Sequence, residues 1–163
     1  MRRATIDPAT HDLGDLFERE VDRLWRSVFA YTQDRAITDD AVAEAFAQCL
    51  GRGDHVRDPR AWVWRAAFRL AAGELKDRRR SGRLDDAIHA IPEPAGGTQA
   101  VGDILAMLAA LPGNQRAAAI LRWYAGYGTD EIARMLDVSR ATVRVHLSRA
   151  RRKLRSELTE GES

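Results

Sequence analysis

A chain of 163 residues with a formal net charge of +2 has room for one ordinary domain or two small ones. Its one cysteine, Cys49, excludes an internal disulfide, and no apolar run is long enough to span a bilayer. The small net charge conceals segregation: residues 1–56 carry more acid than base, 57–83 hold nine Lys/Arg against Asp58, Glu74 and Asp77, and 139–155 hold seven Lys/Arg and no acid. Two basic blocks suggest two nucleic-acid contacts and a separate acidic surface. The polar start MRRATIDPATHD lacks the apolar core of a signal peptide, so a cytoplasmic protein is expected.

In chain order, Leu13, Leu16, Phe17, Val21, Leu24, Trp25 and Val28 recur at helical spacing and predict a first helix over about residues 11–32. Thr38, placed before Asp39 and Asp40, predicts the capped start of a second helix. Val42, Ala45, Phe46 and Cys49 share one face of it, Gly51 and Gly53 end it, and Cys49 reads as a small core residue. Asp58-Pro59, a natural cap followed by proline at the first helical position, opens a third helix that runs to about Arg79. Its buried face is Val63, Ala66, Ala67, Leu70 and Ala71, while Arg65, Arg69, Lys76 and Arg79 gather within about 80° on the other side. Trp64 and Phe68 fall between the two faces. Helical position alone leaves open whether they widen the core, the reading adopted for Trp62, or border a phosphate-holding stripe and stack on unpaired bases.

From Ser81 to about Gly97 the periodicity fades, and Pro92, Pro94, Gly96 and Gly97 mark a linker. Helical spacing resumes near Val101. Ile104, Leu105, Leu108 and Leu111 form one short helix, Pro112 starts another, and Ala118, Leu121 and Trp123-Tyr124 follow. No segment alternates convincingly as a strand. The predicted fold class is all-α, with two small helical domains, 1–80 and 101–163, joined by a flexible linker, 81–100, that spans on the order of 25 Å on average.

The stretch from Gly128 to Arg155 reads as a helix-turn-helix. Thr129 is the expected cap of its first helix, with Asp130 and Glu131 at the positive end of the helix dipole. Ile132, Ala133 and Leu136 should be buried, and Asp137-Val138-Ser139 supplies a tight turn in which Ser139 caps the second helix. On that helix Val143, Leu147, Ala150 and Leu154 form a packing stripe about 60° wide, and nearly everything else is basic or polar. In such a motif the start of the second helix faces base edges. The candidates are Arg140, Ala141, Thr142, Arg144, Val145 and Ser148, with the capping Ser139 counted in the same DNA-binding set, since arginine pairs bidentately with guanine and small apolar groups meet a thymine methyl. The later Arg149, Arg151, Arg152 and Lys153 are better placed to grip phosphates, which positions a protein without specifying sequence. The plainer alternative, a solvated basic helix ending an ordinary bundle, does not account for caps, turn and stripe agreeing on one motif.

An enzyme is the weakest reading. His11, His55, His89 and His146 have no recognisable ligand spacing, and no glycine-rich phosphate loop follows a strand, so neither metal nor cofactor is expected.

LPGNQRAAAILRWYAGYGTDEIARMLDVSRATVRVHLSRARRKLR resembles the promoter −35 reading domain of the extracytoplasmic-function group of bacterial RNA polymerase sigma factors, of the sigma-70 family. A leucine-proline start, an EIA helix and a TV…LSRAR recognition helix recur there. TDDAVAEAFAQCL is similar to the family's acidic helix that docks on the polymerase, and DPRAWVWRAAFRLAAGELKDRRR to the RAW-containing helix of its −10 domain. The resemblance implies a transcription-initiation subunit. It implies Asp39, Asp40, Glu44 and Gln48 as polymerase-facing, Arg60, Trp64, Arg65, Phe68, Arg69 and Lys76 as contacts to the −10 element and its opened strand, and core RNA polymerase, promoter DNA and a cognate anti-sigma factor as partners. The chain departs from the pattern at Ala43-Glu44-Ala45-Phe46, where glutamine-glutamate-threonine-phenylalanine is common, at Arg69 for the usual asparagine, and at Gly73 for a frequent aspartate. A different class stays open beside it: a helix-turn-helix regulator that binds duplex DNA as a dimer and is no polymerase subunit.

Overall fold

The computed structural model describes residues 8–82 and 99–161, and every regular element among them is helical. Helix α1 spans Pro8–Thr32, α2 Arg35–Arg52 and α3 Pro59–Arg80, with a single 3₁₀ turn, Gly53–His55, between the last two. Of the apolar stripe foreseen for α1, Leu24 and Val28 have no exposed surface, Leu13, Leu16, Val21 and Trp25 are partly buried, and Phe17 is exposed.

The junction of α1 and α2 differs from the expectation in one respect. Gln33 takes a left-handed backbone (φ 54°), and Asp34, extended, caps α2 by accepting the Ile37 N–H at 2.9 Å. Thr38, the expected cap, lies a turn inside the helix, where its Oγ1 donates to the Asp34 carbonyl at 2.7 Å and meets Thr32 Oγ1 at 2.8 Å. The reason is Ile37. A helix begun at Thr38 would leave this apolar side chain outside, whereas the earlier start buries it with Ala41, Val42, Ala45, Phe46 and Cys49. Gly53 ends α2 with a positive φ, and Asp58 caps α3 through the Ala61 N–H at 3.1 Å with Pro59 in the first turn, as the sequence foretells.

In the second half α4 is Gln99–Ala109, α5 Gly113–Ala119, α6 Thr129–Leu136 and α7 Arg140–Gly161. Ile104 of α4 is exposed although its spacing suggested packing; Leu111 just beyond is buried. After α5 the chain opens into a wide π-helical turn, Ile120–Tyr124, in which the Ala125 N–H reaches the Ile120 carbonyl at 2.9 Å. Gly126, with φ 79°, then turns the chain into α6. The cap position of α6 is Gly128, one residue before the expected Thr129, and the Glu131 carboxylate accepts the Gly128 N–H at 3.0 Å.

Helices α1, α2 and α3 pack together, α7 packs on α5 and α6, and α6 lies along α3. One contiguous buried core results, running from Leu24, Ile37 and Phe46 through Trp64 and Phe68 to Leu121, Ile132 and Val143. A small second cluster, Leu111, Ala119 and Ala150, secures α7. Residues 83–98 of the expected linker lie outside the described residues. Among the described residues no helix is long and apolar enough to cross a membrane.

Candidate nucleic-acid interface

The turn between α6 and α7 is built by Asp137, whose left-handed backbone (φ 56°) closes the first helix, and by Ser139, whose Oγ accepts the Thr142 N–H at 3.0 Å. An aspartate tolerates that conformation better than a branched residue would. Ile132, Ala133 and Met135 hold α6 down, and Val143 and Ala150 do the same for α7. Leu136, Leu147 and Leu154 are only partly buried.

This anchoring leaves the opposite side of α7 free. Ser139, Arg140, Ala141, Arg144, Val145, Ser148, Arg149, Arg151 and Arg152 are all exposed, and Thr142 is half-buried against Ser139. Arg140 pairs with Asp130 at 2.8 Å across the motif, both side chains open to solvent. Arg151 lies over the exposed ring of Trp123 at 5.7 Å. His146 is half-buried, with an unpartnered Nδ1, and burial reinforced by the Arg149 charge holds its pKa below the usual histidine value. It is not simply a polar member of the outward face.

The acidic side of α2 is likewise accessible. Asp39, Asp40 and Glu44 are exposed and Gln48 is half-buried. Trp25 Nε1 donates to Asp39 at 2.7 Å, and Gln48 Nε2 donates to Glu44 at 2.8 Å.

The α3 candidates divide. Arg69 and Lys76 are exposed. Trp64 is fully buried and Phe68 nearly so. Trp64 Nε1 donates to Glu20 at 3.1 Å, and its ring meets the edge of Tyr127 at a centroid distance of 5.1 Å. Arg60 pairs with the other oxygen of Glu20 at 2.9 Å and lies over the Tyr127 ring at 4.8 Å. Arg65 reaches Asp137 at 3.5 Å. Phe68 packs on Tyr31 at 5.6 Å. The side of α3 bearing Arg60, Trp64 and Arg65 therefore faces α1 and the segment leading into α6, and in this arrangement the two aromatics are core residues.

Glu20, Tyr127 and Arg116 were not marked by sequence. Glu20 stands among several acids on α1, and nothing in its spacing separates it from them. Arg116 is buried, donates to the carbonyls of Tyr31, Leu111 and Ala109, and stacks on the Tyr31 ring. A buried arginine in an alanine-rich helix is invisible to periodicity, which counts it as polar.

Residues 102–154 match the family model described as sigma-70, region 4. The ECF RNA polymerase sigma factor SigL of Mycobacterium tuberculosis is 29% identical over 159 residues, covering 89% of this chain and 88% of that protein. The probable RNA polymerase sigma factor RfaY of Xanthomonas campestris pv. campestris is 31% identical over 145 residues, covering 80% of this chain and 36% of that protein. Among solved structures, the sigma factor RpoE of Bartonella quintana, in complex with the anti-sigma factor NepR, superposes with a TM-score of 0.78 at 19% identity, over 91% of this chain and 97% of that one. CnrH, in complex with the cytosolic domain of CnrY, gives a TM-score of 0.68 at 22% identity, over 93% and 89%.

Proposed function

We propose that this chain, which belongs to the extracytoplasmic-function group of the sigma-70 family, is a dissociable initiation subunit that lends promoter specificity to core RNA polymerase. The observation that carries the reading is α7, whose outward face is free of other helices and, from Ser139 to Arg155, free of carboxylates. A helix with that charge and exposure suits a major groove.

In this reading residues 101–163 form the −35 domain. Arg140, Ala141, Thr142, Arg144, Val145 and Ser148 face base edges, and Ser139, Arg149, Arg151 and Arg152 face backbone. Residues 1–80 form the other domain, with 81–100 linking the two. There the exposed Asp39, Asp40 and Glu44, with Gln48, dock on the polymerase. Arg60, Trp64, Arg65, Phe68, Arg69 and Lys76 serve the −10 element. Capturing an unstacked base costs a few kcal/mol, which contact with Trp64 would partly offset once its ring is freed from Tyr127, whereas Phe68 is held in the core against Tyr31. An anti-sigma factor is a reasonable further partner, because the Bartonella quintana relative is bound to one.

Run-off transcription with purified core polymerase over genomic promoter fragments tests the proposal. Transcripts that depend on the chain are expected. Duplex binding as a dimer with no association to core polymerase would replace the proposal with a conventional regulator.

A further inference from the structure

The outward face of α7 has no acid of its own from Ser139 to Arg155, yet the helix-turn-helix brings one to it. Asp130, in the first turn of α6, sits with its Oδ1 2.8 Å from Nε of Arg140, the first residue of α7. Among the described residues no other arginine of α7 pairs with a carboxylate. The helix dipole favours an acid at the start of α6, but Glu131 already takes that place, its carboxylate folded back onto the Gly128 N–H at 3.0 Å. Asp130 reaches across the turn instead. At the rim of a surface meant for DNA a carboxylate repels phosphates, so its position there needs an offsetting role.

The geometry of the pair supplies one. It is made through Nε, while Nη1 and Nη2 of Arg140 meet no acceptor among the described residues. Two N–H groups side by side are the donors that guanine O6 and N7 accept in the major groove, and in this motif the first residues of the second helix face base edges. Ser139 Oγ, by accepting the Thr142 N–H at 3.0 Å, fixes the backbone under Arg140; Asp130 then fixes the side chain. A long, exposed arginine held in one arrangement before binding loses less freedom when it docks. The two side chains are 55% and 64% exposed, so the pair adds little to the stability of the free chain. Exclusion of water from an occupied groove strengthens it.

We propose that Asp130 is a positioning residue for Arg140 and that the pair reads one guanine of the −35 element, at the edge met by the start of α7. Asp130 holds Nε, and Nη1 and Nη2 donate to the guanine O6 and N7. The inference rests on the promoter-specificity reading above. It gives a residue outside the basic face a share in sequence choice. An aspartate acting through one arginine alters preference at one base pair, whereas an aspartate acting through its charge alone alters binding at every sequence alike.

Run-off transcription by the reconstituted holoenzyme tests this on one chain-dependent promoter and on variants of it in which each −35 base pair is replaced in turn. Templates are compared within each protein variant, so a partly folded sample lowers all of them alike and leaves their ratios intact. Arg140→Ala should lower the preference for guanine at one position by about tenfold. Asp130→Ala and Asp130→Asn should each lower it at that same position by about fivefold and leave the others unchanged, and adding Asp130→Ala to Arg140→Ala should change nothing further. A uniform rise in transcription with Asp130→Ala would mean a carboxylate that only repels phosphate, and a uniform fall one that only supports the fold; either overturns the proposal. So does a preference lost at a base pair other than the one Arg140 governs, or Arg140→Ala leaving every preference intact. In each of these cases the sigma reading stands, because wild-type transcription depends on the chain. Absence of that dependence removes the sigma reading, and this inference with it.

Discussion

Helices α3 and α7 carry similar numbers of arginines, yet one is half hidden and the other stands open. The difference lies in what each packs against. Helix α7 is held along one narrow stripe, Val143 and Ala150, so its cations face solvent. Helix α3 is packed by α1 and α2 on one side and α6 on another, and three of its arginines are paired, Arg60 with Glu20, Arg65 with Asp137 and Arg78 with Asp34 at 2.9 Å, while Arg69, Arg79 and Arg80 are exposed. Basic residue content alone is therefore a poor guide to a nucleic-acid surface. What distinguishes the two helices is how far the partner is buried: Glu20 and Asp34, which hold Arg60 and Arg78, are largely covered, whereas Arg140 and Arg151 of α7 meet Asp130 and Trp123 in the open.

The comparison is broken most directly at Arg144. Arg144→Glu puts a carboxylate on the exposed side of α7 proposed to enter the groove, and should lower promoter-dependent transcription by about 100-fold or more, combining a lost base contact with phosphate repulsion. Polymerase association, measured by native gel or pull-down, should be unchanged; joint loss would mean misfolding or a wrong role. The next largest effect is on stability. Arg116→Met keeps the apolar stem but leaves the Tyr31 and Leu111 carbonyls without their guanidinium partner, at an expected cost of about 2 kcal/mol in urea unfolding. A change within error would show that the buried cation was offset by its own desolvation.

Much of the architecture was legible because it depends on local rules. Asp58-Pro59, Ser139 and Gly53 are caps and stops whose chemistry is complete within a few residues, and all three act where expected. Thr38 and Thr129 were misplaced caps: the earlier start of α2 buries Ile37 and lets Asp34 cap it, and α6 begins one residue early, at Gly128, whose N–H is taken by the Glu131 carboxylate. The exposure of the outward residues of α7 was legible since a single stripe fixes the orientation of that helix. The α3 residues were not. Trp64 and Phe68 sit at the border of their helix's apolar face, and their burial depends on Tyr31 and Tyr127, distant in sequence. The wide turn at Ile120–Tyr124 left no periodic trace either, because it alters spacing within an otherwise helical run.

A smaller effect sharpens the contrast from the N-terminal side. Asp40→Lys with Glu44→Lys reverses two exposed charges on α2. Core-polymerase affinity should fall by roughly tenfold, with a stronger effect at low salt, while unfolding shifts little. Unchanged affinity at low ionic strength would remove α2 from the docking surface.

The smallest expected effect concerns His146, which separates the inward and outward sides of α7. Burial, and then the neighbouring Arg149 charge, depress its pKa from 6.5, so the folded chain binds a proton less readily here than the unfolded chain does. The sign follows: the histidine's contribution to stability is present above about pH 6.5 and is lost as pH falls through the lower folded value. His146→Gln should flatten the dependence of the urea midpoint on pH below 6.5 and leave it unaltered at pH 8. Because a single, partly buried imidazole is involved, the change should be slight, a modest shift of midpoint with no loss of cooperativity. An unaltered pH profile in the variant would place the imidazole with the exposed arginines of α7, and the boundary between its packed and outward sides would then move to Leu147.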